Sequence, residues 1–246
     1  WVTPRLHGIK YFEKPPLQYW AGAITFKVFG VDEWTARFPA ALAGLLAVLV
    51  VGFTGARLAG ATAGAYAALA LLGCIWHAGL AHFLTLDAVL NLWLAVALCG
   101  FLLAQRDGLS PASQRRWMWV AYAAAAGAAL SKGLVALVIP GATLVLYSMI
   151  TRDLGPWRRL HVISGTLIFL ALTVPWVVLV ARANPEFLRF FFIREPFERF
   201  RGETGWLICP HTAVGTALAR RLPATAASTV VLATAAASKF PETVAE

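Results

Sequence analysis

The sequence predicts an all-α integral membrane protein: a bundle of about six transmembrane helices, one further helix lying in the membrane interface, and a short α/β-like C-terminal tail. Three observations lead there. Of 246 residues, 59% are hydrophobic and only 13% charged, and the mean hydropathy of +0.70 lies beyond the range of ordinary cytosolic domains. The apolar residues come in long runs, and a bilayer core of about 30 Å needs roughly 20 of them in a helix. The arginines cluster in short segments between these runs, so the net charge of +9 speaks for membrane topology rather than for nucleic acid.

The spans follow in order. Trp34 to Arg57 is the first, with Arg37 near enough to its outer end to snorkel. Ala61 to Phe83 is the second, interrupted by His77 and His82, and Leu86 to Ala104 is the third. Trp117 to Ile150 is too long for one span and is broken by Ser131, Lys132 and Gly133, which predicts two helices and a tight turn. His161 to Val180 is the sixth. Leu17 to Phe29 is too short to cross, and its aromatic and Lys content suits an interfacial helix. Cys74, Cys99 and Cys209 are isolated, a spacing that fits small packed residues and neither a metal cluster nor a disulfide framework. The organisation expected is a periplasmic loop with its interfacial helix over 1–33, the bundle over 34–182, an amphipathic segment over 183–201 and an unrelated soluble-type tail over 202–246.

Orientation comes from the loops. Arg57, then Arg106, Arg115 and Arg116, then Arg152, Arg158 and Arg159 fall in one set, which the positive-inside rule makes cytoplasmic. Counting spans places four other segments together on the opposite face: Trp1 to Glu33, Thr85 to Asp87, Ser131 to Gly133, and Arg182 to Arg201. The charges not explained by topology all lie in these four.

Each of those charges has a structural and a functional reading. Glu13 and Lys14 precede Pro15 and Pro16, which remove backbone donors and restrict Lys14. They make either a rigid loop with snorkelling side chains or a fixed cation at headgroup level, suited to a lipid phosphate. Thr85 and Asp87 could simply cap a helix favoured by its dipole. Lys132 sits inside an apolar stretch, where a charge needs a phosphate or carboxylate partner. In FLRFFFIREPFERF, from Phe187 to Phe200, aromatics alternate with charges. It reads as an interfacial segment, as a wall over a lipid-linked substrate with Arg194 free for a bidentate phosphate contact, or as both. His77 and His82 read as packing or hydrogen-bonding residues. An outer cavity with several cations and a few carboxylates calls for an anionic lipid or a polyprenyl phosphate.

The stretch WVTPRLHGIKYFEKPPLQYWAGAITFKVFG resembles the first large periplasmic loop of bacterial aminoarabinose transferases. These belong to the polyprenyl-phosphate-dependent membrane glycosyltransferases, together with the protein mannosyltransferases. DEWTARFPAAL, the TLD at 85–87, ALSKGLVALVIPG from Ala129 and FFFIREPFERF from Phe190 resemble the same family in the same order, so the likeness covers about residues 1–200. It implies a C-type glycosyltransferase fold in the bacterial inner membrane, with a periplasmic active face. It also implies transfer of 4-amino-4-deoxy-L-arabinose from undecaprenyl phosphate to lipid A, with another sugar or acceptor, as in protein mannosylation, as the alternative. Lys14 would hold the carrier phosphate, and Lys132 and Arg194 would add phosphate contacts. Tyr11, Glu13, Asp87 and Glu195 would line the pocket, with Glu13 placed where a divalent metal would find a carboxylate ligand. No second metal ligand is visible in the sequence.

The resemblance places the family's acidic pair upstream of Trp1, and the chain has no initiator Met. The expectation is therefore a fragment, and a binding remnant that catalyses nothing stands beside the enzyme reading. From about Arg201 the composition changes to a β/α pattern. GWLICPHTAVG and VVLATAAASKFPE resemble the C-terminal end of threonine synthase, a pyridoxal-phosphate enzyme, over 203–246. That likeness makes Thr234 the counterpart of a residue near the cofactor and excludes Lys239 by position as the Schiff-base lysine. A membrane transferase joined to a cytosolic enzyme's tail predicts a chimera, whether by fusion or by artefact.

Overall fold

The structure, a computed structural model, describes residues 1–6, 9–12 and 14–192. Glu13, Arg194, Glu195 and the whole 202–246 tail, with Thr234 and Lys239, lie outside the described residues. The chain divides into two compact units, Trp1–Ala183 and Asn184–Glu246.

The first unit opens on an antiparallel hairpin, β1 (Arg5–Leu6) and β2 (Ile9–Lys10), with Arg5 opposite Lys10 and Leu6 opposite Ile9. Two indoles hold the chain just before it. Trp20 Nε1–H donates to the Trp1 carbonyl at 2.8 Å and Trp176 Nε1–H to the Val2 carbonyl at 3.2 Å. Pro15 and Pro16 are fully buried and lead into α1 (Leu17–Phe29), whose bounds coincide with the expected interfacial helix. Proline fits there because the first N–H groups of a helix have no internal acceptor. Gly30, at φ +86°, ends the helix.

Asp32 starts α2 (Glu33–Ala59) through a capping box with Thr35. The packing on α2 is the inverse of that in a water-soluble helix. Ala40, Ala43, Gly44 and Ala47 are buried, whereas Leu42, Leu45, Leu46 and Leu49 are exposed. Small residues let helix backbones approach, and large apolar ones face lipid. Gly60, at φ +94°, turns the chain into α3 (Ala61–Leu72), whose Gly64 lies so close to α2 that a Cβ there would stand 2.5 Å from the Gly52 carbonyl oxygen.

The second predicted span is bent. α3 and α4 (Ile75–His82) meet at 62°, and the break falls at Gly73 and Cys74 rather than at the histidines. Gly73 closes α3 with its N–H on Leu69 O, and Cys74 is extended (φ −71°, ψ 114°), so His77 lies inside a regular helix. Then come α5 (Asp87–Ala104), α6 (Pro111–Lys132), α7 (Val135–Thr151), the short α8 (Gly155–Arg158) and α9 (Val162–Ala183). α6 starts before Trp117, because Ser110 caps it and Pro111 occupies its first turn. The bundle centres on α5, packed between α2 and α6; α9 packs on α6, and α1, α3 and α4 pack on α2.

Each predicted span is helical. By length and apolar composition α2, α5 and α9 can each cross a membrane, and α3 with α4 makes a fourth if the bent pair is one span. α7 is apolar but only 17 residues long, and α6 carries Gln114, Arg115 and Arg116 in its first turns. Contacts join the end of α5, the start of α6 and the segment before α9. At one end Arg159 donates to the Gln105 carbonyl at 2.6 Å and to Asp107 at 3.1 Å, and His161 Nε2 lies 3.1 Å from Gln114 Oε1. The guanidiniums of Arg57 and Arg115 sit over Phe53 and Trp119, both at 5.3 Å. The hairpin, the start of α5 and the end of α6 belong to the other end.

In the second unit the described residues run from Asn184 to Phe192 and include α10 (Phe187–Arg189). The Phe187 and Phe191 rings stack at 5.3 Å, and Phe192 meets Phe191 edge-on at 5.2 Å.

Candidate functional site

Lys132 ends α6 because Gly133 adopts φ +77° and ψ −144°, a conformation that reverses the chain at little cost only for glycine. Asp87 begins α5, after a loop that Thr85 N–H tightens by donating to the Phe83 carbonyl at 2.8 Å. The Lys132 ammonium donates to Asp87 Oδ1, forming an ion pair between two half-buried side chains. The helices can close to this contact because the packing just inside it is small and tight. Leu90, Ala128 and Ala136 form a buried cluster backed by Trp93, Leu94 and Ala129. Trp93 lies directly over Gly127, where a Cβ would meet its ring at 2.5 Å. Buried Ser131 spends its hydroxyl on the Gly127 carbonyl at 2.8 Å.

Of the two readings of Thr85 and Asp87, a side-chain cap is not made, although Asp87 lies in the first turn of α5. Leu86 occupies the cap position without a side-chain bond, and the Asp87 carboxylate pairs with Lys132 instead. A lysine at membrane depth is costly alone, and a carboxylate at the adjoining helix start offsets that cost. An ammonium has three donors, so one carboxylate does not exhaust it.

Tyr11 and Lys14, both half-buried, lie in the loop that leads into α1. Tyr11 N–H donates to the Pro4 carbonyl at 2.9 Å, and its ring meets Tyr19 of α1 edge-on at 6.3 Å. The hairpin and α1 thus fix the loop from both sides, and α1 packs on α2 and reaches α6, the helix that carries Lys132. Of the residues singled out from sequence, Asp87 and Lys132 are in direct contact, and Tyr11 and Lys14 are held at the base of α1. Glu13, Arg194 and Glu195 lie outside the described residues. Among the described residues no three His, Cys, Asp or Glu side chains come together as a metal site.

His77, read from sequence as a packing or hydrogen-bonding residue, makes a buried polar link. His77 of α4 places Nε2 3.1 Å from the Gly44 carbonyl of α2, and its Nδ1 lies 3.0 Å from Asn91 Nδ2 of α5. Asn91 stands four residues after Asp87, on the same helical face.

Residues 13–179 match the family model described as dolichyl-phosphate-mannose-protein mannosyltransferase. The chain is 31% identical over 227 residues to an undecaprenyl phosphate-alpha-4-amino-4-deoxy-L-arabinose arabinosyl transferase of Aeromonas salmonicida, covering 88% of this chain and 40% of that protein. A second such transferase, from Pseudomonas fluorescens, is 32% identical over 207 residues, covering 82% and 35%. Among solved structures, the chain is similar to ArnT from Cupriavidus metallidurans bound to undecaprenyl phosphate, at 44% identity and a TM-score of 0.78, over 81% of this chain and 37% of that one. The apo structure of the same protein gives a TM-score of 0.77. The chain spans about 40% of the length of the curated relatives it matches.

Proposed function

We propose that this chain, which belongs to the dolichyl-phosphate-mannose-protein mannosyltransferase family, holds the phosphate of a polyprenyl-phosphate sugar donor for glycosyl transfer. The donor is undecaprenyl-phosphate-linked aminoarabinose, the acceptor a lipid A phosphate, and the site faces the periplasm from the inner membrane. The observation that carries this reading is the Asp87–Lys132 pair at the α5–α6 end, in a chain 44% identical to a structure whose ligand is undecaprenyl phosphate.

The chemistry follows from the charges. An oxygen of the acceptor phosphate attacks the anomeric carbon, the bond from that carbon to the carrier phosphate breaks, and the electron pair leaves on the phosphate oxygen. Negative charge grows on the leaving phosphate, so fixed cations beside it lower the barrier. Lys14 supplies the principal cation, and Lys132 shares its remaining donors with the phosphate while Asp87 fixes its position. Tyr11 shapes the adjoining wall. Undecaprenol, lacking phosphate, gains nothing from these groups.

The test is transfer by the chain reconstituted in lipid vesicles, with undecaprenyl-phosphate aminoarabinose as donor and lipid A as acceptor. Mass spectrometry of lipid A that shows the added sugar supports the full reading. Donor binding without transfer limits the chain to carrier binding. Absence of both contradicts the proposal.

A further inference from the structure

We propose that His77 is a positioning residue: it fixes the rotation of α5, and thereby aims Asp87 at Lys132. The inference rests on the reading of that pair as part of the phosphate site, but it concerns the geometry of the pair itself.

His77 is buried and bonded on both sides, to a carbonyl of α2 and to a side chain of α5. A carbonyl only accepts, so the proton on Nε2 points at Gly44, and Nδ1 is left as the acceptor for Asn91. Polar groups in an apolar interior cannot stay unpaired without cost, so His77 and Asn91 hold one mutual geometry. Asn91 and Asp87 are one helical turn apart, and at about 100° per residue four residues return to within about 40° of the same azimuth. Fixing Asn91 therefore fixes the direction in which Asp87 leaves the helix.

Gly44 provides the foundation of this link. A Cβ there would stand 2.6 Å from the Cβ of Ala81, so α4 rests directly on the α2 backbone. The bend of 62° between α3 and α4 is what lays α4 across α2 at this point. The bent span, costly as an interruption in a membrane helix, thus delivers a histidine to a place where it grips two helices at once.

The test is the reactivity of Lys132 toward an amine-acylating reagent, mapped by mass spectrometry on the whole chain in detergent. His77→Phe keeps a ring and loses both bonds; Asn91→Leu loses the link from the other side; His77→Gln keeps one donor and one acceptor. Release of Asp87 unmasks the ammonium, so His77→Phe and Asn91→Leu raise the Lys132 acylation rate on the order of fivefold, the factor that a hydrogen bond of ordinary strength represents. His77→Gln stays near the wild-type rate. Lower thermal stability with an unchanged Lys132 rate would assign His77 to packing and overturn the proposal. If His77→Phe does not fold, Asn91→Leu decides alone by the same readout. Undecaprenyl phosphate binding, measured in parallel, separates the two claims: a changed Lys132 rate with unchanged binding upholds the positioning role and counts against the phosphate site.

Discussion

Lys132, the last residue of α6, and Asp87, the first of α5, form an ion pair across 45 positions of sequence. Each is charged at the end of an apolar helix, and each supplies what the other lacks. The pair ties together the turn at Gly133 and the loop before α5, two of the four segments that topology assigns to the outer face.

Breaking the pair from its two sides gives unequal results. Lys132→Met removes a phosphate donor and leaves an anion beside the carrier. With a charge-assisted contact worth about 1.5–3 kcal/mol, it weakens undecaprenyl phosphate binding ~10–100-fold. Asp87→Asn keeps the ammonium and weakens binding less. The exchange Asp87→Lys with Lys132→Asp recovers thermal stability lost in either single variant. Equilibrium binding and thermal unfolding in detergent check both statements.

The close helix contacts predict opposite effects for two glycines. A Cβ on Gly165 of α9 would stand 2.2 Å from the Tyr122 ring of α6, so Gly165→Ala destabilises by about 1–3 kcal/mol through overpacking. Gly141 of α7 has nothing within 4 Å of the same position, so Gly141→Ala is neutral or stabilising by up to about 1 kcal/mol through helix propensity. Thermal unfolding of the two variants side by side reads the difference.

Topology predicts which loops meet which compartment. In a background with Cys74, Cys99 and Cys209 replaced, Val31→Cys between α1 and α2 reacts with an impermeant thiol reagent in intact cells. Leu154→Cys, between α7 and α8, reacts only after lysis. Both positions are well exposed, so access alone separates them. The reverse pattern would invert the assignment of the phosphate site to the periplasm.

The helices were legible because lipid imposes a length and a polarity on each. Leu17–Phe29 stands out as a short apolar segment between a proline pair and Gly30, and the structure gives those bounds. The turn at Lys132 and Gly133 was legible for a similar reason: a charge and a glycine interrupt an apolar run. The bend at Gly73 and Cys74 was not, since one glycine in an alanine-rich helix is ordinary and the break depends on how α4 rests on Gly44. The partner of Lys132 was narrowed to a phosphate or a carboxylate. Choosing Asp87 required knowing that α5 and α6 are neighbours, which is tertiary information. His77 was legible as a packing or hydrogen-bonding residue, but its partners on α2 and α5 are tertiary information.

In the proposed function, fixed cations at the α1, α5 and α6 end hold a polyprenyl phosphate, with Lys14 as the principal one. The most direct measurement is equilibrium binding of undecaprenyl phosphate, with undecaprenol as the uncharged control, to the wild-type chain and to Lys14→Ala in detergent. Wild-type binding is expected to prefer the phosphate and weaken with salt, with a loss of at least about tenfold in Lys14→Ala, as for removal of a charge-assisted contact. Equal binding of undecaprenol and undecaprenyl phosphate, or unchanged phosphate binding in Lys14→Ala, would contradict it.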